Sequence, residues 1–126
     1  MGSESPTATA TVRFDKQPIT SDQLVKLVWS VARGAAAELV IEYDDDGNIV
    51  NLGQTSMALE DHIRVSPPPG GPQYFSPNGR YSEVVVTSHT WESVVFATNC
   101  YQEDVDRTVS TFATALLNAY NAQCSK

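Results

Sequence analysis

The general acid–base pair this 126-residue chain offers is an imidazole with a carboxylate neighbour. Its two histidines are His62 and His89, and His89 stands between valine-rich segments, beside Trp91, with Glu83 and Glu92 in the flanking strands. Such a pair would make a small hydrolase or nuclease. The plainer alternative is an exposed histidine in a hairpin turn formed by Ser88, His89 and Thr90. Cys100 is the candidate nucleophile, because it sits just before a helix N-terminus, where the dipole lowers a thiol pKa. Glu103, Asp104 and Asp106 crowd that terminus and oppose a thiolate, which favours a small inert thiol.

Metal and phosphate chemistry have weaker signals. Asp44-Asp45-Asp46-Gly47-Asn48 has the acidic and glycine spacing of a calcium loop, but counting from Glu42 puts Gly53 at the twelfth position, where a bidentate Glu is needed. A solvated hairpin turn accounts for the same residues, since Asp, Asn and Gly accept the positive φ of such turns. Two histidines and two cysteines without close pairing lack the pattern of structural zinc. The G-x-S-x-G, G-x-x-x-x-G-K-[ST] and G-x-G-x-x-G patterns do not occur. No cofactor and no metal are expected.

Over a few residues, Val84 to Cys100 resembles the histidine-bearing strand region of T1-type ribonucleases, which implies nuclease chemistry at His89. The chain departs from that family by ending in a helix where those enzymes end in strands, and by its acidity.

The proline-rich stretch Pro67 to Arg80 is the longest loop. Its prolines favour polyproline II, and Tyr74, Phe75 and Tyr81 supply large, stiff side chains of the kind that anchor interfaces. With Trp91 and His89 they are the candidate binding residues. The competing expectation is that these aromatics fold back over the edge of the core.

The elements that must position these residues follow from periodicity. Ala8, Ala10, Val12 and Phe14 alternate with Thr7, Thr9, Thr11 and Arg13, the pattern of a half-buried strand. Thr20 and Gln23 form a capping box with Ile19 and Leu24 as its staple, opening a helix whose stripe is Leu24, Leu27, Val28, Val31 and Ala35, with Trp29 covering the edge and Gly34 near the end. Leu39, Ile41 and Tyr43 alternate with Glu38, Val40 and Glu42, and the Asp-Gly turn returns the chain through Ile49 to Leu52. Ser56 to His62 reads as a helical turn and Ile63 to Ser66 as a short strand. Tyr81 to Thr87 and Trp91 to Thr98 read as an antiparallel hairpin. Val105, Val109, Phe112, Ala113, Leu116 and Tyr120 mark the buried face of a final helix. A helix from about 103 to 121 would hold Cys100 and Cys124 roughly 28 Å apart, where a disulfide tolerates only about 7 Å. The two are expected not to pair with each other.

These elements sum to an α+β two-layer sandwich, an antiparallel sheet of about five to six strands with two helices packed on one face. Residues 1–6 are expected to be disordered or a tag remnant, and 7–126 one domain. Eight Lys and Arg against fifteen Asp and Glu give a net charge of −7, which disfavours nucleic acid and anionic membrane as partners. No apolar run approaches the ~20 residues of a membrane helix. A small acidic, soluble, non-enzymatic domain that binds a protein target as an inhibitor or immunity-type protein is the function expected. A secreted effector or surface-binding domain and a hydrolase using His89 with Glu83 or Glu92 are the alternatives. A free sheet face would also suit a homodimer, and the compartment stays open between cytoplasm and secretion.

Overall fold

A computed structural model of the chain describes residues 7–34, 38–55, 62–89 and 102–124. Thr7–Arg13 forms β1, with Ala8 and Val12 buried and the threonines outward as their alternation requires. Ile19–Thr20 (β2) leads into α1, Ser21–Gly34. The capping box is made in full: Gln23 N–H donates to Thr20 Oγ1 (3.2 Å) and Thr20 N–H to Gln23 Oε1 (2.9 Å). Leu24, Leu27, Val28 and Ala32 face inward, and Val31 is half-buried. Ala35 lies outside the described residues. Trp29, beside the stripe, is 47% exposed.

Glu38–Tyr43 (β3) and Ile49–Thr55 (β4) flank the Asp-Gly turn, in which Gly47 takes φ +83°. The register shifts after Glu42, where Val50 is the extra residue on β4, and Tyr43 at the end of β3 is exposed instead of joining Leu39 and Ile41. His62–Ser66 is β5, so His62 opens a strand; the rest of the expected helical turn, 56–61, lies outside the described residues. Arg80–Tyr81 is β6, Glu83–His89 is β7, and Gln102–Cys124 is α2.

The main sheet has the order β1-β7-β5-β4-β3, with every neighbouring pair antiparallel; β2 and β6 form a separate two-stranded ladder. Three expectations are corrected here. Tyr81 does not begin the valine strand but pairs with Ile19, and the strand starts at Glu83. That strand has β1 on one side and β5 on the other, so Glu83–His89 has no free side for a hairpin with Trp91–Thr98, a segment outside the described residues. Nor do Ser88 and His89 form a turn: both belong to β7, and Ser88 is buried opposite Ala8 and Ile63.

One face of the sheet is covered. α2 lies on β1 and β7, α1 lies on β3 and β4, and the helices touch each other. The core between the layers joins Val12, Leu52, Val65, Val84 and Val86 to Leu24, Val28, Val109, Phe112 and Leu116. On the other face stand Thr9, Thr11, Arg64, Val85 and Thr87, and no described helix packs there. Among the described residues no helix is long and apolar enough to cross a membrane.

Candidate functional site

The loop that leaves β5 crosses this open face before it is tied down. Phe75 makes a two-way backbone pair with Ile49 (both 2.9 Å), extending β4 on the side that β5 has already left. Its ring meets Tyr81 edge-on, centroids 4.9 Å apart. The Tyr81 hydroxyl accepts from Ser76 N–H (2.6 Å), and Ser21 at the start of α1 donates to the Ser76 carbonyl. The loop's second half is therefore clamped to the end of the sheet. Its first half, Pro67-Pro68-Pro69 to Gln73, forms the wall of a groove of about 530 Å³ whose floor includes Thr9, Thr11, Arg64 and Val85. Arg64 is the charged group among the described lining residues, and its guanidinium donates to the Val50 carbonyl (3.1 Å).

The expected binding residues divide. Tyr74 is 38% exposed at the rim of the loop, whereas Phe75, next to it, is 1% exposed. Phe75 and Tyr81 belong to the packing that holds the loop, so their rings are not presented to a partner. Trp91 lies outside the described residues. His89 ends β7, with Thr7 and His62 as its register partners. The two histidines of the chain thus occupy directly opposed positions in β7 and β5, which sequence spacing did not reveal. Glu83 cannot serve His89: six residues of strand separate them by about 20 Å, and Glu83 faces Arg13 at 3.6 Å. Glu92 lies outside the described residues.

Sequence reasoning missed Arg64, Thr9 and Thr11. Their outward direction was readable from the alternation of β1 and β5, but their proximity depends on β7 lying between those strands.

At the β3 edge, Glu38, Glu42, Asp44, Asp45 and Asp46 are all exposed. Asp44 is the turn's organiser. Its carboxylate accepts from Asn48 Nδ2 (3.0 Å) and from the N–H groups of Asp46 and Asn48 (both 2.9 Å). The Asn48 side-chain amide above all holds the carboxyl below its ordinary range; desolvation opposes it, and the backbone N–H groups of Asn48, Asp46 and Gly47 add smaller lowering effects. Among the described residues no three His, Cys, Asp or Glu side chains come together as a metal site.

Cys124 is a free, half-buried thiol at the end of α2. Gln102–Cys124 spans about 33 Å, and the two residues back to Cys100 reach only about 7 Å. Alkylation of the denatured, unreduced monomer is therefore expected to add two labels by mass. A bond between Cys100 and Cys124 of one chain would mean that α2 is broken.

No family model, curated protein or solved structure matches this chain.

Proposed function

We propose that the chain is a non-enzymatic protein-interaction domain of the inhibitor or immunity type, which holds its target on the open face of the sheet against the proline-rich loop. The observation that supports this reading is the loop's combination of a clamped base and an open wall. Phe75, Ser76 and Tyr81 fix it to the fold, while Pro67–Pro69, Pro72 and Gln73 wall a groove of about 530 Å³ and Tyr74, next to Gln73 in the chain, is exposed. A contact surface that is already ordered loses little entropy when it binds. The net charge of −7 favours encounter with a basic target, and Glu38 and Glu42 border the same face at the β3 edge, across the sheet from Arg64 in the groove. An effector acting on a protein surface would use the same face.

The test is photo-crosslinking from two positions in cells that make the protein. A photoreactive phenylalanine analogue at Tyr74 is expected to label one protein species, and the same analogue at Lys26, exposed on α1, is expected not to. Equal labelling from both positions would overturn the assignment of this face.

A further inference from the structure

On the helix-covered side, α1 and α2 leave a cleft between them. It has a volume of about 510 Å³, within the usual range for small-molecule sites, and lies between Val31 of α1 and Thr111, Phe112 and Ala115 of α2, over Gln54 and Ile63 of the sheet. Gln54 is the anomaly. It occupies an inward position in β4, paired with Leu39 on one side and Ile63 on the other, and the residue is 8% exposed. Its Oε1 is sealed from solvent and has no hydrogen-bond partner. In the same row, beyond Ile63, Ser88 Oγ is likewise buried and without a partner. Buried polar atoms are nearly always satisfied, and an orphaned acceptor carries the full cost of its desolvation. Leu39, Ile63 and Ala8 in that row are apolar, and Gln54 and Ser88 are its exceptions.

We propose that this cleft is a binding site for a small, uncharged, largely apolar molecule carrying one hydroxyl or N–H donor. Its apolar part lies along Ile63, Phe112 and Ala115, and its donor meets the Gln54 carboxamide. The terminal torsion of a glutamine is broad, so a side chain that lines the cleft turns its oxygen towards an occupant at little cost. Among the described lining residues Arg107 is the charged group and Thr108 and Thr111 add hydroxyls; a cation is disfavoured beside the guanidinium, and an anion brings no proton to donate to Gln54 Oε1. The site lies on the opposite side of the sheet from the proline-rich loop, so it stands or falls independently of the function proposed above.

The probes are 1-octanol and its methyl ether, which has the same chain but no donor. Each is titrated into the full chain, and binding is followed by amide chemical shifts. Shifts are expected to cluster on Val31, Ile63 and the 108–115 segment, with the alcohol bound about tenfold more tightly than the ether. In Gln54→Leu that preference is expected to vanish while the ether still binds. In Ala115→Trp, which fills the cleft, both should be lost. Should Ala115→Trp fail to fold, Gln54→Leu decides alone. Equal affinities for alcohol and ether, a preference that survives Gln54→Leu, or no shifts with either probe would each overturn the proposal.

Discussion

Phe75→Ala is expected to destabilise the protein by about 3–5 kcal/mol, while Tyr74→Ala, one residue earlier, changes stability by less than about 1 kcal/mol. The two aromatics look alike in sequence, and their burial separates them: 1% exposed against 38%. Removing the Phe75 ring deletes its edge-on contact with Tyr81 and leaves a void beneath the loop's clamped half, next to Ile49. The backbone pair between residues 49 and 75 survives the substitution in principle, so the strand edge cannot move in freely to fill that void. Against a typical total of about 5–15 kcal/mol, the loss is a large fraction of the whole. Urea unfolding checks it: the midpoint of Phe75→Ala should fall well below that of the parent protein with the slope unchanged, and that of Tyr74→Ala should stay close to it. A Phe75→Ala midpoint equal to the parent's would mean that the ring is dispensable and that the loop is held by its hydrogen bonds alone. Under the interaction reading, Tyr74→Ala should do the reverse, keeping the fold and weakening target capture.

The difference between Tyr74 and Phe75 shows where sequence reasoning stops. Local chemistry was legible. The capping box at Thr20 and Gln23, the Asp-Gly turn, the alternation of β1 and the stripe from Val105 to Tyr120 each depend on residues close in the chain, and each forms as spacing predicts. Long-range pairing was not legible. The valine strand was expected to pair with the segment after it, the shortest connection; instead its neighbours are β1, more than 70 residues earlier, and β5. Three or four apolar residues in alternation carry no record of which strand they meet, and that choice is made by the packing of the whole sheet. The groove beside Arg64 inherits the same limit, because it needs β1, β5, β7 and the proline loop together.

Tyr120 carries the second large prediction, and it rests on a group that periodicity alone would overlook. The helical stripe places its ring in the core, where it packs on Phe14 with centroids 4.8 Å apart. Its hydroxyl does more than the ring. It accepts from the N–H groups of Lys16 (3.0 Å) and Gln17 (2.7 Å) and donates to the Gln17 carbonyl (2.8 Å), across 103 residues of chain. One hydroxyl has one proton and two lone pairs, so all its capacity is used on the link between β1 and β2. Tyr120→Phe keeps the packing and orphans those backbone groups; because they are only partly buried and water can reach them, the cost is about 2 kcal/mol rather than the sum of three lost bonds. Tyr120→Ala adds a cavity and should bring the loss to about 4–5 kcal/mol. The difference between the variants separates the ring from the hydroxyl. Hydrogen exchange gives the sharper check, since in Tyr120→Phe the amides of Lys16 and Gln17 should exchange far faster while those of Val84 and Val86 change only with global stability. Unchanged protection at Lys16 and Gln17 would show that the segment is fixed by Phe14 and Ile19 instead. Faster exchange there alone would establish that the last helix, through one oxygen atom, sets the path of the chain into α1 and so the position of Ser21 against the clamped half of the proline loop.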